Sequence, residues 1–157
     1  MEQWEMETRE CVRDTLARYN WSGDALRLEQ LAATFCEDGE LAIRGRDPVQ
    51  GRAAIVRLLG GDAPDDEARR RAAKATSAAV GQRRIVRHNV SNIRFVAVRP
   101  HEAQVDSYFT VLTEIGLDHY GRYRDTFVPV GDEWLIKQRQ VSTDWHAVDS
   151  TVRQLPG

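Results

Sequence analysis

The period of the apolar residues changes near Arg83, and this change restricts the possible folds more than any other feature of the chain. Upstream, Val12, Thr15, Leu16 and Tyr19 recur at i, i+3, i+4 and i+7, and Leu28, Leu31, Ala32 and Phe35 repeat that spacing. Such spacing predicts two amphipathic helices. Trp21-Ser22-Gly23-Asp24 between them has the composition of a turn and a helix start, so the second helix reverses onto the first with Asp24 as its N-cap. Glu37-Asp38-Gly39 is expected to end it. Downstream the period is two, over Ile85 to Val98, Gln104 to Ile115, Tyr120 to Val130 and Trp134 to Trp145. The connectors Arg99 to Glu102, Gly116-Leu117-Asp118 and Gly131-Asp132 are short, so neighbouring strands run antiparallel as a meander. Helices followed by a meander predict an α+β domain with helices on one sheet face.

The middle of the chain joins these halves. Glu40 to Arg44 reads as a short strand, residues 46–51 as a loop, and Ile55, Leu58 and Leu59 as the buried stripe of a third helix. From Gly60 to Val80 the apolar residues are nearly all alanine, and Pro64 with three acids precedes Arg69, Arg70, Arg71 and Lys74. A helix of this kind is expected to be exposed and lid-like, its arginine triplet a solvated face. Trp134, Ile136, Phe95 and Phe109 are expected in the core.

With 157 residues the chain fits one domain spanning 1–157. Lysine plus arginine number 22 against 24 acids, which gives no general attraction to nucleic acid. No apolar run is long enough to span a membrane and the acidic start does not resemble a signal peptide, so a cytoplasmic location is expected. Cys11 and Cys36 form neither a disulfide framework nor a zinc module.

Phosphate-binding glycine loops and the serine-hydrolase elbow are absent, and the four histidines lack metal-ligand spacing, so neither a metal nor a cofactor is expected. What remains suits proton transfer. His88 sits on a strand face with Val86 and Val90, where an imidazole can be a hydrogen-bonded core residue or a base.

Tyr19 to Asp24, Phe35 to Gly39, Gly51, Arg87 to Asn92, Gly121 to Asp125, and Trp134 to Ile136 leading to Arg139 follow one another in the order and at the intervals of a known family. In these residues the chain resembles the SnoaL-like families of the nuclear transport factor 2-like superfamily. The resemblance covers nearly the whole sequence. It implies a cone-shaped, curved antiparallel sheet wrapped by N-terminal helices around a deep apolar pocket. Members such as scytalone dehydratase and hexachlorocyclohexane dehydrochlorinase use a histidine and an aspartate as a general-base dyad, and these positions fall on His88 and Asp24. Arg139 sits where the dehydrochlorinase has a catalytic arginine, and Tyr19, Trp21, Asn92, Tyr108 and Tyr123 are implied as substrate-binding.

The sequence departs from those members in two places. Tyr19 stands where the dehydrochlorinase has a lysine, and the second histidine of scytalone dehydratase has no secure counterpart. Arg139 could also be tied to Asp125 on the neighbouring strand: a three-residue turn over Gly131 to Glu133 sets the two opposite each other, whereas a two-residue turn puts them on different faces. Three functions follow. The first is a cofactor-independent lyase or isomerase acting on a small apolar or oxygenated cyclic molecule. The second is a non-catalytic ligand-binding or dioxygenase-small-subunit-like role. The third, an epoxide hydrolase with an Asp-Arg-Asp site, lacks a strand-borne Arg-x-Asp facing a second aspartate. A homodimer or trimer is implied by resemblance alone.

Overall fold

The computed structural model describes residues 1–79, 81 and 85–150, and the Arg83 boundary lies outside them. Helix α1 (Gln3–Asp24) runs unbroken through the segment expected to turn, with Thr8, Val12, Thr15, Leu16 and Tyr19 along its buried stripe. The chain turns one step later. Arg27 N–H donates to the Ser22 carbonyl at 2.8 Å and Leu26 N–H to that of Gly23 at 3.0 Å, with Leu26 at φ 53°. This is the hydrogen-bond pattern of a Schellman motif, which glycine usually completes. Leucine in the left-handed position hides the helix end from the sequence. Asp24 is therefore the last residue of α1 and not the N-cap of the next helix.

Helix α2 (Leu28–Ala32) is one short turn, and β1 (Phe35–Ile43) takes in the Glu37 to Gly39 segment expected to end a helix. A two-residue strand β2 (Val49–Gln50) pairs with β1 and leads into α3 (Arg52–Gly60), which buries Ile55. Helix α4 (Asp66–Ala79) buries only Arg69, whose guanidinium bonds to Asp66 at 2.7 Å and Glu29 at 3.1 Å. Asp66 in turn accepts the backbone N–H groups of Leu28 at 2.7 Å and Glu29 at 3.2 Å. The arginine triplet is thus not one solvated face: Arg69 ties α4 to the start of α2.

The four long strands are present as β3 (Val86–Arg99), β4 (Glu102–Thr113), β5 (Gly116–Val130) and β6 (Glu133–His146). They form an antiparallel meander, and β1 joins β6 in parallel to give the order β2-β1-β6-β5-β4-β3. The sheet is curved and unclosed, with α1 packed against β3 and β6. Thr15 Oγ1 fixes the helix to the sheet by donating to the Trp134 carbonyl at 2.7 Å. Trp134, Ile136 and Phe109 are buried as expected. Phe95 is only half-buried, because it faces α1 from the edge strand, where Arg9 and Arg13 cover its ring at 4.6 and 5.2 Å.

Extra residues in the strands decide which side chains point inward. On β3 the inward set changes from Val86, His88 and Val90 to Ile93 and Phe95, because Asn92 adopts φ 50° and shifts the register. At Gly121 a Cβ would lie 2.0 Å from the Ser142 carbonyl oxygen and 2.9 Å from Phe109, so the strand crossing closes only on glycine. Gly121→Ala is expected to lower stability by about 1–3 kcal/mol, the cost of overpacking a tight site, as measured by urea denaturation. An unchanged midpoint would show that the sheet relaxes there without strain.

Candidate active site

The end of α1 and the start of β3 meet at one carboxylate. Asp24 Oδ1 lies 2.6 Å from His88 Nδ1, and Asp24 Oδ2 accepts the His88 backbone N–H at 3.0 Å. Both oxygens are therefore spent on one residue. A carboxylate in the last turn of a helix opposes the helix dipole, so it does not sit there for the sake of the helix. Its effect is on His88. With Nδ1–H donated to the carboxylate, the neutral ring leaves Nε2 as an unprotonated acceptor. The imidazole remains 27% exposed and the carboxylate 12%, so the pair stands at a rim open to solvent and not on the floor of a closed cavity.

Beyond the dyad the interior is packed with rings. His88 meets His119 edge-on with centroids 6.4 Å apart, Phe109 lies 5.9 Å from His119, and Phe109 stacks on Tyr123 at 4.6 Å. Tyr19 contacts Tyr123 at 6.2 Å and Phe35 at 6.0 Å. These side chains pack against one another between α1 and the sheet. Burial raises the phenol pKa of Tyr19, against the pull of Arg139, and raises that of Tyr123 as well.

Arg139 is fully buried, and its guanidinium lies 4.1 Å from the ring centroids of both Tyr19 and Tyr123. It donates from Nε and Nη2 to the two carboxylate oxygens of Asp125 at 2.9 and 2.7 Å. The β5–β6 loop has two residues, which alone would put these side chains on opposite faces. Lys137 is an extra residue between the Thr126 and Phe127 pairings, and it restores Asp125 opposite Arg139. Burial pushes the Asp125 carboxyl up and Arg139 pulls it down; burial also works against the guanidinium, yet Asp125 holds it above its ordinary value. Arg139 is thus the partner of Asp125 and not a group on the open site.

The other residues implied by resemblance divide between inside and outside. Tyr19 and Tyr123 are interior. Trp21 is 80% exposed, since it lies roughly 200° around the helix from Tyr19. Tyr108 is 51% exposed, and Asn92, Tyr108 and Tyr123 line one hollow with Arg94, Asp106, Ser107, Arg122 and Arg124. None of these three lines the space around His88. Asn92 instead serves the strand, as its bulge.

His119 belongs to the site without any motif to mark it in the sequence. Its Nδ1 lies 2.7 Å from Asp118 Oδ1, a second imidazole–carboxylate pair facing the first. Burial lowers the pKa of His119; Asp118 opposes this, while His88 and His146 add to it. Among the described residues no cluster of three or more His, Cys, Asp and Glu side chains could hold a metal, and no helix is long and apolar enough to cross a membrane.

A curved, unclosed sheet with helices on one side is the fold of solved structures described as NTF2-like and cystatin-like. The chain belongs to the SnoaL-like domain family, whose model matches residues 4–140. A Novosphingobium aromaticivorans protein named for scytalone dehydratase is 26% identical, with TM-score 0.66 over 88% of each chain. An NTF2-like protein with a cystatin-like fold from the same organism is 24% identical, with TM-score 0.67 over 97% of this chain and 90% of that one. The ActVI-ORFA protein of Streptomyces coelicolor is 21% identical, with TM-score 0.68 over 87% and 96%. No curated protein matches the chain at a significant level.

Breaking one side of the Asp125–Arg139 pair strands a buried charge. Asp125→Asn and Arg139→Ala are each expected to cost about 3–5 kcal/mol, read as a fall in melting temperature. Wild-type melting in Arg139→Ala would contradict the structural assignment.

Proposed function

We propose that the protein is a cofactor-independent lyase or isomerase for small, oxygenated cyclic molecules, with His88 as its general base. The observation that carries this reading is the double use of Asp24, whose two oxygens hold the ring and the backbone of His88 at 2.6 and 3.0 Å. Membership of the SnoaL-like family and the likeness to a protein named for scytalone dehydratase support it. His88 Nε2 takes a proton from a carbon next to a carbonyl, or from a hydroxyl, and the Asp24 carboxylate stabilises the imidazolium that forms. Returning that proton to a departing hydroxyl eliminates water; returning it to another carbon isomerises the substrate. Arg139 acts at a distance, by holding the Tyr19 and Tyr123 rings that form the inner wall.

The packed interior favours a second reading, a ligand-binding domain that does not turn its ligand over. One assay separates the two. Compounds that co-purify with the protein, together with a panel of cyclic hydroxyketones and naphthols, are incubated in D2O, and deuterium entering carbon is followed by mass spectrometry. The wild type is expected to exceed His88→Ala by roughly 10²- to 10⁴-fold, the usual contribution of a positioned base, with Asp24→Asn between them and ligand affinity largely kept. Binding without exchange would establish the second reading, and equal exchange in His88→Ala would overturn the assignment of His88 as the base.

A further inference from the structure

Consecutive residues of a strand point to opposite faces, so Asp118 and His119 should not be able to meet. They meet because β5 carries an extra residue. Val111 pairs with His119 and Leu112 with Leu117, which makes Asp118 the inserted residue of the ladder between them. A bulge of this kind re-aims a side chain. Here it places the Asp118 carboxylate, fully buried, beside the His119 ring.

Among the described residues, three side chains hold the carboxylate. Asp118 Oδ2 accepts the Thr113 hydroxyl at 3.2 Å, and Oδ1 accepts the Ser150 hydroxyl at 2.5 Å while lying 2.7 Å from His119 Nδ1. The segment that brings Ser150 is itself fixed, since Ala147 N–H donates to the Asp118 carbonyl at 2.7 Å and Ser150 N–H to that of Ala147 at 3.1 Å. An anchor for residues 147–150 would need only the backbone bonds. The use of the carboxylate on an imidazole that faces His88 is a further feature.

We propose that Asp118 and Ser150 are positioning residues that hold His119 as a second proton-transfer group opposite His88. This rests on the reading of His88 as a base, because a second imidazole matters only where a proton is being moved. Asp118 fixes the tautomer, with Nδ1–H on the carboxylate and Nε2 left for the substrate, and Ser150 keeps the carboxylate from rotating. Ser150 thereby completes the site, acting on His119 through Asp118.

The test is a long-range 1H–15N spectrum of the histidine rings in wild type, Ser150→Ala, Ser150→Thr and Thr113→Val. Wild-type His119 is expected as the Nδ1–H tautomer. In Ser150→Ala, loss of one hydrogen bond is expected to speed exchange of that proton about 10-fold and to admit the Nε2–H tautomer. Ser150→Thr keeps the wild-type spectrum, and the His88 signals stay the same throughout. In the deuterium assay Ser150→Ala lowers kcat at unchanged KM. A folded Ser150→Ala with a wild-type His119 spectrum, or with an altered spectrum and undiminished kcat, would overturn the proposal. Absence of any carbon exchange in the wild type would overturn the role of His88 first, and with it the proton-transfer role of His119, while the spectra would still decide whether Ser150 positions the ring.

Discussion

Asp125 and Arg139 place two opposite charges in the interior, where neither can reach water, and the sheet is arranged so that they meet. Without the extra residue at Lys137 the two-residue β5–β6 turn would set them on opposite faces, each a buried charge lacking its partner. The pairing therefore constrains the register of the two central strands. It also organises what lies above it, because the guanidinium is the surface on which Tyr19 from α1 and Tyr123 from β5 both pack. Helix and sheet share one cation. The aromatic wall continues from there through Phe109 to His119 and ends at His88.

The same device recurs along the sheet. Extra residues at Lys137, Asn92 and Asp118 pair Arg139 with Asp125, turn Ile93 and Phe95 inward after His88, and bring a carboxylate onto its own neighbour. Each costs ladder hydrogen bonds and gains a side-chain direction that simple alternation forbids. The site is thus built at irregularities of a regular meander. Asp24 fits this pattern from the helical side, since it occupies the last turn of α1 against the helix dipole and spends both oxygens on His88.

Much of this is legible in the residues. Four period-two runs with short connectors define the meander, and the order of motifs leads to the family and to the intervals that bring His88 to Asp24. What stays hidden follows from local backbone geometry. Leu26 ends a helix in a conformation that glycine usually marks, so by its residues α1 stops before Trp21 and Asp24 resembles an N-cap. Bulges have no sequence signature without a glycine, so Asp118 reads as a turn residue and nothing draws attention to His119. Trp21 and Tyr108 stand at positions implied by resemblance, but helix rotation and strand alternation direct both outward. The face on which Arg139 meets Asp125 is set by the register, which depends on a single inserted lysine.

Proton abstraction at His88 requires that Nε2 be the ring nitrogen left free. A neutron crystal structure grown at pD about 8.5, clear of the ordinary histidine titration range, locates the ring deuterium directly. The expected result is deuterium on Nδ1, directed at Asp24 Oδ1, and none on Nε2. Deuterium on Nε2, with Nδ1 bare, would mean that Asp24 does not present His88 as a base, and the proton-abstraction mechanism would be wrong.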